Sequence, residues 1–117
     1  MEIYTFKQWA LDNNHEEYLV DTYIGNIDCC GVGLTSLEGA PKIVQGYFNC
    51  SYNDLKTLKH SPKKVYGDFM CNKNLLKSLK HMPKLIKGNF YCGFNRLKLL
   101  NIKSKIYGDI YYKNSCS

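Results

Sequence analysis

Apolar and polar positions along the middle of this chain recur with a period of 21 residues, so that one sentence is written three times: LTSLEGAPKIVQGYFNCSYND, LKTLKHSPKKVYGDFMCNKNL and LKSLKHMPKLIKGNFYCGFNR. The recurrent apolar places are Leu34/Leu55/Leu76, Leu37/Leu58/Leu79, Val44/Val65/Ile86, Phe48/Phe69/Phe90 and Cys50/Cys71/Cys92. Pro41/Pro62/Pro83, Gly46/Gly67/Gly88 and Asn53/Asn74/Asn95 recur with them. A fixed period of this length predicts a solenoid, in which each copy is one coil whose apolar side is buried only by its neighbours.

Within a copy, strict alternation turns Val44, Phe48 and Cys50 inward and Gln45, Tyr47 and Asn49 outward, which predicts one parallel strand per coil. The glycines allow an unusual backbone angle or a close approach beside it, and the prolines keep the return side extended. The asparagines are expected to stack into a ladder whose amides bond backbone groups where the chain leaves the strand. Upstream, Gly25, Ile27 and Cys29 mark a degenerate coil. Downstream, Leu97 and Leu100 begin another, with Ser104 in place of Pro and one residue lost before Ile106, Gly108, Ile110 and Tyr112. Four to five rungs follow, above the minimum of about three that such stacks need. Residues 1–24 do not repeat and read as a cap. Thr5 is placed to cap a short helix with Phe6, Trp9 and Ala10 on one apolar side, Asn13 and Asn14 end it, and an extended lead-in follows from Glu16. Residues 25–117 form the solenoid.

The run Phe-x-Cys-x-x-Asn-x-Leu-x-x-Leu resembles the leucine-rich repeat signature, with Phe and Cys where that family usually carries Leu. The resemblance covers about residues 25–112. It implies a mainly β, right-handed solenoid of short coils with a parallel sheet on the concave face and a small N-terminal helical cap. Compact repeats of this kind occur in bacterial and phage proteins. By that association alone, it implies a phage-encoded inhibitor that binds a host protein complex, such as a nuclease-bearing or CRISPR-type defence effector, in the cytoplasm of an infected or host cell.

Length fits one domain, 117 residues, with a core shared along the stack. No apolar run approaches the roughly 20 residues that span a bilayer, and no signal-like start is present, so no membrane partner is expected. Cys29, Cys50, Cys71 and Cys92 fall on successive rungs, a spacing that suits buried reduced thiols and neither a zinc site nor a disulfide. Cys30 and Cys116 are the thiols expected to be accessible. His60 and His81 repeat with the coil, and His15 lies in the cap. No phosphate loop, metalloprotease helix or nucleophile elbow occurs. The expectation is a protein that is not an enzyme and takes no cofactor or metal.

Charge changes the picture. Residues 1–54 carry two Lys against eight acids, net −6, whereas residues 55–117 carry fourteen basic residues against Asp68 and Asp109, net +12. Lys56, Lys77 and Lys98 share one place in the coil, and Lys42, Lys63, Lys84 and Lys105 share another, columns that an anionic partner would relieve. Fifteen of the sixteen basic residues are Lys, which suits nucleic-acid binding without sequence preference and not bidentate reading of bases. The outward strand positions hold Tyr47, Tyr66, Asp68, Met70, Lys87, Tyr91, Tyr107, Asp109 and Tyr111, the composition of a protein-recognition surface. Two other readings stand beside it: an RNA-binding module, possible also as contact with a ribonucleoprotein, and an oligomerising adaptor. The last strand, with Ile110, Tyr111 and Tyr112, is expected to pair at its edge with a second copy or with the partner.

Overall fold

Thr5 is extended and accepts the Gln8 N–H through its hydroxyl at 3.0 Å, capping helix α1 (Phe6–Asp12) in this computed structural model, which describes residues 2–113. Phe6, Trp9 and Ala10 form the buried side. The first N–H groups of a helix have no partner within it. Here those of Phe6 and Lys7 donate to the carbonyls of Ser36 and Glu38, which docks the cap on the first return arm. Asn13 closes the helix and left-handed Asn14, at φ 59°, turns the chain. Glu16–Tyr18 make a 3₁₀ turn, where the sequence suggested an extended lead-in. The Tyr18 ring sits against His15 and Trp9, at 4.9 and 6.2 Å, and that cluster holds the turn until the chain straightens at Thr22.

Each rung then contributes two short strands where the alternation predicted one. In chain order they are β1 (Thr22–Ile24), β2 (Ile27–Asp28), β3 (Ile43–Gln45), β4 (Phe48–Asn49), β5 (Lys64–Val65), β6 (Phe69–Met70), β7 (Leu85–Ile86), β8 (Phe90–Tyr91), β9 (Lys105–Ile106) and β10 (Ile110–Tyr111). The odd-numbered strands form one parallel five-stranded sheet and the even-numbered strands another, five rungs joined by four return arms. The break falls at the repeated glycine. A Cβ at Gly67 would lie 2.7 Å from the Gly46 carbonyl carbon, and one at Gly88 would lie 2.6 Å from that of Gly67. Consecutive coils touch backbone to backbone at this bend, and only glycine leaves room.

The inward columns are buried as the pattern requires, with Val44, Val65, Ile86, Phe48, Phe69, Phe90, Cys50 and Cys71 fully enclosed together with the leucines of the return arms. The phenylalanines stack from rung to rung at 6.0 Å, and Phe6 of the cap reaches Phe48 at the same distance. The smaller Ile27 in that column leaves space for it.

The asparagine ladder closes the coil on its other side. The Asn74 amide donates to the carbonyls of Cys50 and Cys71 while its oxygen accepts the Leu55 N–H at 2.9 Å, and Asn53 and Asn95 repeat the pattern. Each asparagine therefore binds two coils together. Asn74→Ala should cost about 1–3 kcal/mol in urea melts, because the buried Leu55 N–H loses its acceptor while the Cys50 and Cys71 carbonyls keep the Asn53 and Asn95 amides. A loss under about 0.5 kcal/mol, the range of an ordinary surface substitution, would mean that water takes the place of the amide.

The turns beside this ladder hold residues other than glycine in left-handed backbone, Tyr52, Lys73 and Phe94 at φ 58°, 57° and 54°, and so do the turns later in the return arms, with His60 and His81 at 70° and 71°. They continue columns that begin with Gly31 and Gly39. In the last rung, Lys105 pairs with Leu85 and Ile106 with Ile86, so the missing residue lies before Lys105. Lys105 thus leaves the column assigned to it with Lys63 and Lys84, and Ser104 takes that place, because putting Ile106 beside Ile86 fixes the register. Burial fades there: Ile106 is half-buried, and Ile110 and Tyr112 are 39% and 50% exposed. Among the described residues no strand pairs with the outer edges of β9 and β10. No described helix is long and apolar enough to cross a membrane.

Candidate interaction surfaces

Outward columns of the two sheets make one face. Ile24, Gln45, Tyr66, Lys87 and Tyr107 are exposed along the odd-numbered strands, and Asp28, Asn49, Met70, Tyr91 and Tyr111 run along the even-numbered ones. Aromatic rings gather on the later rungs. Tyr91 and Tyr111, partners across β8 and β10, stack at 4.6 Å and 9°. The ammonium groups of Lys87 and Lys105 lie 4.6 and 5.1 Å from the Tyr107 ring centre. Lys105, helped by Lys87, pulls the Tyr107 hydroxyl below the ordinary phenol range, whereas Asp109 pushes that of Tyr111 up. Tyr107 therefore sits in a locally cationic setting and Tyr111 beside a carboxylate.

The column at the bend, Asn26, Tyr47, Asp68, Asn89 and Asp109, has a second duty. The side-chain oxygens of Asn26, Asp68 and Asn89 accept the backbone N–H of Tyr47, Asn89 and Asp109, at 2.8, 2.7 and 2.8 Å. Asp68, expected to face a partner, has one carboxylate oxygen engaged in joining two coils, and it is half-buried with Tyr47 and Met70. Of the residues expected on a recognition surface, the structure brings Tyr91 to Tyr111 and Lys87 to Tyr107.

The return arms make the second surface. Lys56, Lys77, Lys98, Lys63 and Lys84 are all exposed on or beside them. Between the arms of the last coils lies a groove of about 920 Å³ that five lysines beyond Lys63 line, namely Lys77, Lys80, Lys84, Lys98 and Lys103, together with His81 and Leu99. Lys80 and Lys103 were not singled out from the sequence, although Lys59 and Lys80 also recur in register and carried that signal.

The thiols behave as core atoms. Cys29, Cys50, Cys71 and Cys92 are buried and free of disulfides, and desolvation raises the thiol pKa of each, that of Cys92 to about 11. The Cys50 thiol donates to the Met70 carbonyl at 3.3 Å. Cys30 is half-buried and its sulfur accepts from the Ser51 hydroxyl at 3.7 Å, while Cys116 lies outside the described residues. Among the described residues no group of three or more His, Cys, Asp or Glu gathers to hold a metal.

No protein-family model matches the chain, and neither a curated protein nor a solved structure matches it.

Proposed function

We propose that this chain is a non-catalytic binding module that holds a protein partner against the aromatic stripe on the later rungs of its sheet face. The observation that carries the reading is the Tyr91–Tyr111 stack, on a face where Tyr66 and Tyr107 are also exposed and Lys87 and Lys105 lie over the Tyr107 ring. Stacked tyrosines offer large contact area at low entropic cost, and aromatic residues are enriched at interface centres. The rings of Tyr91 and Tyr111 cover one another and Tyr107 lies beneath cations, an arrangement better suited to side-chain contacts than to receiving nucleic-acid bases between free ring faces. The lysines favour a partner surface rich in carboxylates. We also read the coil as of the leucine-rich-repeat type, supported by the buried Leu, Phe and Cys columns and the Asn ladder.

The double variant Tyr91→Ala/Tyr111→Ala tests the proposal, since both rings lie outside the buried core and their removal leaves that core intact. Capture of a partner from nuclease-treated lysate should fall at least about 30-fold, the loss expected at a hot spot of about 2 kcal/mol. The partner implied by the resemblance, a phage host's defence complex, is addressed by the same capture. Unchanged capture by the double variant would overturn the proposal. Loss of the partner on nuclease treatment of the unaltered protein would transfer the reading to RNA.

A further inference from the structure

The basic groove lies on the return arms, and its walls are consecutive coils. Lys77, Lys80 and Lys84 come from one arm, Lys98 and Lys103 from the next, and Lys63 from the arm before. Among the described residues no carboxylate lines the groove, and none of these ammonium groups lies within 4.0 Å of an acidic side chain. Neighbouring rungs of a parallel stack are about 5 Å apart. Like charges at that spacing repel by roughly 1 kcal/mol per pair even at the dielectric constant of water. A counter-charge distributed along a chain would relieve several pairs at once.

The lining also says how such a chain would be read. All its fixed charges are lysine, a point charge that attracts phosphate without the bidentate geometry of arginine. Leu79 and Leu99 also line it, and among the described residues His81 supplies its one ring, with no Phe, Tyr or Trp there for a base to stack on. We propose that this groove binds a phosphate polyanion by its phosphates alone, with any bases left outside. The chemistry is shared by single-stranded nucleic acid and inorganic polyphosphate. The site is independent of the sheet face, because no lining residue belongs to a strand.

The test uses the full chain, a fluorescent oligothymidine, and inorganic polyphosphate as a second ligand and competitor. Affinity should fall about a hundredfold between about 50 and about 200 mM salt, as expected for roughly five backbone contacts on a single strand. An oligoadenine of equal length should bind equally well. Lys77→Glu/Lys98→Glu/Lys103→Glu should abolish binding and leave the circular dichroism spectrum unchanged, whereas Lys7→Glu on the cap should bind as the unaltered protein does. Binding of polyphosphate without the oligonucleotide supports the groove and assigns it to the inorganic chain, and displacement of one by the other assigns it to both. Failure to bind either polyanion at low salt, binding that ignores salt, or full binding by a folded triple variant would each overturn the proposal.

Discussion

Phe69→Ala should lower stability by about 3–5 kcal/mol, the cost of a large cavity in a well-filled core. Phe69 has no exposed surface, and its ring is sandwiched at 6.0 Å between Phe48 and Phe90, so neither neighbour can close the gap without leaving its own rung. Small domains hold only about 5–15 kcal/mol in total. The variant should therefore melt at much lower urea concentration with an unchanged slope. Ile110→Ala, at the same place in the last coil but 39% exposed, should cost under about 1 kcal/mol because little apolar area returns to water. Equal losses at the two positions would contradict the fading burial toward the last rung. A loss below about 1 kcal/mol at Phe69 would contradict the inward phase of the strands.

Stability should fall steadily as pH rises above the ordinary thiol value. Burial raises the thiols of Cys29, Cys50 and Cys71 above their ordinary value of 9.0 and pushes Cys92 to about 11. Below the ordinary value both folded and unfolded chains keep these protons, and stability is at its full level. Above it the unfolded chain releases protons that the native chain retains, so stability falls as pH rises and continues to fall until the native thiols themselves titrate. Each fully buried thiol contributes about 1.4 kcal/mol per pH unit, and three together about 4. Urea melts from about pH 8 to about pH 11 should record this slope, with spontaneous unfolding near its upper end for a domain of ordinary stability. Cys71→Ala should flatten it by about 1.4 kcal/mol per pH unit. Stability that holds level across the range would mean that water reaches the ladder.

The period, the inward set, the asparagine ladder and the capped helix were legible because each repeats a local rule that the structure obeys. The division of each strand was not. Val44, Gly46, Phe48 and Cys50 keep the same parity through the bend, so alternation reads identically for one strand and for two. The glycine column was the visible clue, and the backbone contact it permits became apparent only with two coils in place. Lys105 shows a second limit. Likeness to Lys84 drew the deletion to the wrong side of it, whereas bringing Ile106 beside Ile86 decides the register. At the candidate surfaces, residue type alone placed Asp68 with the tyrosines. Its bond to the Asn89 N–H concerns the next coil and leaves no trace in a column that also holds Tyr47. The lysine columns were plain, but the groove between them depends on how two return arms are spaced.

Because every coil meets only the one before and the one after, the molecule is a ruler graduated in units of 21 residues. Duplicating residues 55–75 would insert a rung with the same glycine contact, phenylalanine stack and asparagine bridge already present on either side. The insertion would lengthen the body by about 4.8 Å, one strand spacing. It would carry the lysine groove farther from the acidic cap without altering the composition of either. Distance between binding surfaces is therefore a quantity that such a gene can change by copying, in whole steps, independently of what each surface recognises.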